Sequence, residues 1–138
     1  KIIFKSLNFK KRFTEYTKLS DQTFLNKDYI KLINRLDQLT YEQNCVQIFT
    51  YDLAISYLLR KKSCTKFNQI FALGSKQIQN EFINELSLKK PKIILINGPY
   101  LHWPPNINKR FKSVNTFILK NYSLGEKIAQ WEILYINE

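Results

Sequence analysis

The sequence predicts an α/β fold in three layers: a mostly parallel, Rossmann-like sheet flanked by helices, with a C-terminal antiparallel β-hairpin at one edge. Three observations predict it. Amphipathic stretches of helical period alternate with short β-branched runs, the pattern of parallel βαβ units with right-handed crossovers. Within Lys92-Ile93-Ile94-Leu95-Ile96-Asn97, four consecutive apolar residues mark a central strand covered on both faces. The chain closes on two strand-like stretches separated by Gly125-Glu126. With 138 residues, 44% hydrophobic and 14% aromatic, it suits one domain with its own core rather than a disordered segment.

Residues 1–24 are basic and weakly periodic, and are expected to form an irregular or extended lead-in. A single α/β domain is expected over 25–138. Ile30, Ile33, Leu36 and Leu39 recur at helical spacing over 27–39, with Asn26 as N-cap. Cys45–Tyr51 is a β-branched and aromatic run of strand length. Asp52 can then cap a helix over Leu53–Arg60, which is apolar nearly all round and so expected to be buried. Phe67–Leu73 reads as a weaker strand, broken by Gly74-Ser75. Ser75 can cap the next helix, whose apolar face carries Ile78, Phe82, Ile83 and Leu86 and which Pro91 ends. Gly98-Pro99 closes the central strand. After the loop Tyr100–Ile107, Asn108 opens a helix bearing Phe111, Val114, Phe117 and Ile118. Tyr122-Ser123-Leu124, a type II′ turn at Gly125-Glu126 and a long strand from Lys127 to Ile136 complete the chain.

The chain starts at Lys1 and contains no Met, which predicts a piece of a longer protein. Its longest apolar runs fall far short of the ~20 residues that span a bilayer. The net charge is +11, with 18 Lys against four Arg, and with 17 Ile and 13 Asn. Such a balance fits either a polyanionic partner or an AT-rich genome. The basic runs Lys10-Lys11-Arg12, Arg60-Lys61-Lys62 and Lys89-Lys90 are short and dispersed. They lack the Arg-aromatic interleaving of nucleic-acid readers, which argues against a specific nucleic-acid partner. Cys45 and Cys64 can form a disulfide outside the cytoplasm, or be two small buried thiols.

No catalytic motif stands out. Gly74, Gly98 and Gly125 form no dinucleotide or phosphate loop, so no cofactor is expected. His102 is the sole His, which excludes a His-metal cluster. Glu81 and Glu85 read as a solvated face, with Glu85 four residues before Lys89 as an ion-pair partner. The informative cluster is positional, because ligands of parallel sheets bind beyond the carboxyl ends of the strands. Those ends carry Tyr51 and Asp52 after one strand, and Asn97, Gly98, Tyr100, His102 and Trp103 after another. They form the candidate binding or interaction edge, either for a ligand or simply as caps on the core.

From Gln47 to Phe67 the chain resembles large bacterial membrane glycosyltransferases of the GT-C type, similar to dolichyl-phosphate-mannose protein mannosyltransferases and lipid A aminoarabinose transferases. An apolar strand leads into a short helix bearing Tyr57-Leu58, then the basic turn Arg60-Lys61-Lys62 and the segment Thr65-Lys66-Phe67. Farther on, Phe82–Leu86, Lys90-Pro91 and the buried strand Lys92–Ile96 look like that family's helix, Lys-Pro and strand unit. Phe117–Tyr122 followed by a hairpin looks like its usual ending. Lys66 stands where the family often has Arg, and no catalytic residue carries over. The resemblance implies an extracytoplasmic (periplasmic) C-terminal domain at a bacterial inner membrane, tethered through transmembrane segments outside this chain. It implies as partners the rest of the parent protein, a polyprenyl-phosphate sugar or glycan acceptor, and an anionic membrane surface. Positive charge does not oppose this, since long domains translocate largely regardless of charge. Two other classes remain open on the residues alone: a basic cytosolic module for nucleic acid or nucleotide, and a protein-interaction domain without ligand.

Overall fold

The structure, a computed structural model, describes residues 9–98 and 110–137. In chain order they form α1 (Phe9–Tyr16), α2 (Lys27–Leu39), β1 (Cys45–Phe49), α3 (Ala54–Leu59), β2 (Lys62–Ser63), α4 (Lys76–Lys89), β3 (Ile93–Asn97), α5 (Lys112–Asn121), β4 (Tyr122–Ile128) and β5 (Trp131–Ile136). Short 3-10 turns lie at Asp21–Phe24 and Ile70–Ala72. The lead-in is therefore partly helical, not irregular or extended throughout. Phe9, Phe13 and Tyr16 recur at helical spacing there, too briefly to stand out among the surrounding lysines.

The five strands form one sheet in the order β2-β1-β3-β5-β4. β2, β1 and β3 are parallel, with Cys45 opposite Lys62 and Phe49 opposite Ile96. β5 runs antiparallel to β3, with Ile94 opposite Leu134, and β4 runs antiparallel to β5. The sheet is thus mixed, which corrects the expectation of a mostly parallel one. A short turn suffices to join β4 and β5, whereas a parallel neighbour needs a long crossover. β5 is no edge strand: Ile133 and Leu134 are both buried, one on each face.

Period-2 alternation sorts the strand side chains into two cores. Val46, Ile48, Ile93, Leu95, Trp131 and Ile133 pack under Leu32, Ile33 and Leu36 of α2 and Ile55 and Leu59 of α3. Phe49, Ile94 and Leu134 pack on the other face under Phe82 and Leu86 of α4 and Val114 and Ile118 of α5. Three layers follow directly. Each fully buried Leu, Ile or Phe contributes roughly 1.5–3 kcal/mol relative to exposure.

The caps expected at Asn26 and Ser75 form. Asn26 Oδ1 accepts from the Tyr29 N–H at 2.9 Å, and Ser75 Oγ accepts from the Ile78 N–H at 3.2 Å. α4 stops at Lys89, ahead of Pro91. At the end of α2, Lys61 Nζ donates to the carbonyls of Thr40 and Gln43, placing a cation where the helix dipole favours one.

Four further expectations are corrected. Phe67–Leu73 is not a strand. The buried amide of Gln47 donates to the Phe67 carbonyl and accepts from Ser63 and Thr65, so a side-chain network holds this turn in place of a ladder. α3 is buried on one side only, because Leu53 and Tyr57 face solvent while Ile55 and Leu59 enter the core. The hairpin turns at Ala129-Gln130, with Ala129 at φ 50°, rather than at Gly125-Glu126. Gly125 instead sits at a bulge inside β4, where a Cβ would lie 2.0 Å from the Tyr135 ring. Lastly, Glu85 and Glu81 both pair with Lys66 from the preceding turn, and Glu85 also accepts from the Lys66 N–H at 2.8 Å.

Candidate functional site

The carboxyl ends of β1 and β3 lie side by side, because these strands are parallel neighbours with Phe49 opposite Ile96. Tyr51 and Asp52 therefore leave the sheet beside Asn97 and Gly98. Tyr100, His102 and Trp103 lie outside the described residues, as do the rest of the loop and Asn108. The antiparallel half adds a third component. The β4–β5 turn reaches the same edge, where the Gln130 carbonyl accepts from the Gly98 N–H at 3.1 Å and Asn97 pairs with Trp131.

Asp52 is held by its own backbone surroundings. Its N–H donates to Thr50 Oγ1 at 3.0 Å, and its Oδ1 accepts from the Ala54 N–H at 3.2 Å, one residue ahead of Leu53, which takes the N-cap position of α3 in place of Asp52. The residue is 7% exposed, and burial pushes its carboxyl above the ordinary range against the opposing pull of the Ala54 N–H. Oδ2 is buried and has no hydrogen-bond partner among the described residues. Such atoms are uncommon in folded proteins, because losing water without a replacement costs about 1–3 kcal/mol.

Trp131 is the companion that sequence reasoning missed. Read as interior to a long final strand, it instead opens β5 directly after the turn. Its ring meets Tyr29 edge-on at 4.8 Å, and it is 2% exposed. Its Nε1 is also buried without a hydrogen-bond partner among the described residues. Gly98 makes room for the indole: its φ is 125°, and a Cβ there would lie 2.9 Å from Nε1. Asn97 adopts φ 65°, a left-handed conformation that Asn tolerates better than most residues. Two consecutive positive φ values turn the chain sharply out of β3.

This edge combines an unmatched acceptor on Asp52, an unmatched donor on Trp131, and the aromatic face of Tyr51, which packs against Phe71 at 4.5 Å. Asp52 Oδ2 is of the kind that accepts a hydrogen bond and Trp131 Nε1 of the kind that donates one, and both lie buried beneath this edge. These groups contain no nucleophile with an adjacent base. Among the described residues, no group of three His, Cys, Asp or Glu is placed to hold a metal ion. No described helix is long and apolar enough to cross a membrane.

Cys45 and Cys64 form a disulfide, with their Cα atoms 4.9 Å apart. It ties the start of β1 to the residue following β2, at the other end of the parallel half. Of the two readings the sequence left open, the bonded one describes the structure.

No family model, curated protein or solved structure matches this chain.

Proposed function

We propose that this chain is an extracytoplasmic accessory domain of a polytopic membrane glycosyltransferase that uses a polyprenyl-phosphate sugar donor. Its task is to recognise the acceptor or to cover the active site, without catalysing transfer itself. The Cys45–Cys64 disulfide supports an extracytoplasmic reading, since such bonds persist in oxidising compartments and are rare in the cytosol. It favours this reading over a cytosolic nucleotide or nucleic-acid module. The resemblance running from Gln47 through the terminal hairpin supplies the class of the parent protein. The parallel order β2-β1-β3 is read as the Rossmann-like half, whose carboxyl edge is the usual side for a ligand.

The test is transfer activity in the full-length parent. Tyr51→Ser removes the aromatic face, and Asn97→Gly removes the amide while keeping a residue suited to φ 65°. Asn97→Gly is expected to lower transfer severalfold with the melting temperature nearly unchanged, and Tyr51→Ser to lower transfer severalfold with a modest loss of stability, because its ring packs on Phe71. Tyr41→Ser is the control, exposed just before β1 at the opposite edge, and is expected to have no effect. Residues 1–138 alone are expected to turn over no polyprenyl-phosphate sugar. Equal activity in all three variants, or turnover by the isolated chain, contradicts the reading.

A further inference from the structure

The segment that leads into α2 carries a feature the proposed function does not use. In α1 and the turn after it, Tyr16, Leu19 and Phe24 are 58%, 44% and 60% exposed. Tyr16 and Phe24 have their ring centroids 6.2 Å apart, so these two rings form a pair rather than scattered apolar tips. A cleft of about 470 Å³, walled by Leu25, Ile30, Ile33, Leu58 and Arg60 among others, joins this turn to the end of α3. Tyr57, 71% exposed, stands on its far wall.

The same stretch of sequence is rich in cations. Over residues 9–27, Lys10, Lys11, Arg12, Lys18 and Lys27 stand against the carboxylates Glu15 and Asp21. Lys11, Arg12, Lys18 and Arg60 are exposed, and the ion pairs seen among the described residues are made by other side chains. Exposed aromatics in a segment rich in positive charge are poorly suited to bulk water and well suited to the headgroup region of a bilayer. Aromatic rings settle there, and each nearby cation gains from anionic lipid.

We propose that α1, the turn through Phe24 and the end of α3 form a docking surface for an anionic lipid bilayer. Tyr16, Leu19, Phe24 and Tyr57 enter the headgroup layer, while Lys11, Arg12, Lys18 and Arg60 meet lipid phosphates. The inference stands on exposure and charge, and holds whether or not the parent is a glycosyltransferase.

The experiment is co-sedimentation of the 138-residue chain with vesicles of phosphatidylethanolamine and phosphatidylglycerol, and with vesicles of phosphatidylcholine alone. Binding is expected to the first and not the second, and to weaken with added salt. Lys11→Gln with Arg12→Gln is expected to reduce partitioning roughly 30-fold. Tyr16→Ser with Phe24→Ser is expected to reduce it roughly tenfold at unchanged charge. A far control, Leu88→Ser on α4, is expected to bind like the parent chain. Circular dichroism melts establish that each variant is folded. If the aromatic pair has no effect, the attraction is to polyanions in general and the proposal fails. The proposal fails equally if a short DNA duplex competes at matched charge with no difference between the aromatic variant and the parent chain. Absence of vesicle binding, with self-association abolished by Tyr16→Ser and Phe24→Ser, makes the patch a protein interface and overturns the proposal.

Discussion

Gly98 sits where two constraints meet, a φ of 125° and the indole of Trp131 directly beneath it. Gly98→Ala must strain the backbone and push the ring away from Tyr29, so a loss of about 2 kcal/mol is expected from denaturant melts. A variant as stable as the parent chain would show that the indole does not lie there. Glu126 is a different kind of residue. Its carboxylate accepts from Arg35 Nε at 2.8 Å and from the Tyr135 hydroxyl at 2.6 Å, tying α2 to the terminal hairpin. The Arg35 hydrogen bonds first, then that of Tyr135, hold Glu126 down to about 2 from 4.5. A depressed carboxyl contributes stability above its unfolded value and loses it as pH falls through the folded one. The gap in melting temperature between the parent chain and Glu126→Gln is therefore expected near neutral pH and should close between about 4.5 and 2. A gap that persists at the acid end contradicts this assignment. Solvent still reaches both partners, so the gap should be modest and should shrink with salt.

Elements whose own sequence decides their form were legible, and those decided by distant partners were not. α2 and α4 carry their caps and apolar stripes within a few residues, and the Ile93–Ile96 run needs both faces covered wherever it sits. The 67–73 segment looked like a strand because Phe67, Ile70 and Phe71 are β-formers, yet the buried Gln47 amide, twenty residues earlier, takes the Phe67 carbonyl. The hairpin was displaced for a similar reason. Gly125 reads as a turn glycine, but its missing Cβ serves the Tyr135 ring across the ladder. That substitution of roles moved the true turn to Ala129-Gln130, hid Trp131 at the start of β5, and concealed the third component of the candidate edge. The placement of Tyr51 and Asp52 beside Asn97 and Gly98 was readable, because it follows from two parallel strands being neighbours.

At the scale of the whole molecule, two kinds of surface stand out. The carboxyl edge of the sheet gathers Asp52, Asn97, Gly98 and Trp131, while α1 and the end of α3 gather exposed rings and cations. The disulfide stands apart from both. It closes a loop with a sequence separation of 19, which constrains the unfolded chain by roughly 3 kcal/mol. That contribution is kept only in an oxidising compartment, so the redox state of Cys45 and Cys64 in a cell reports directly on where the domain resides. The measurement is alkylation of the protein in intact cells of its source with a mass-tagged maleimide, after rapid acid quenching and denaturation, with and without prior reduction. The account predicts no labelling of Cys45 or Cys64 until a reductant is added, then labelling of both. Full labelling of both thiols without reductant would place the domain in the cytosol and contradict the account.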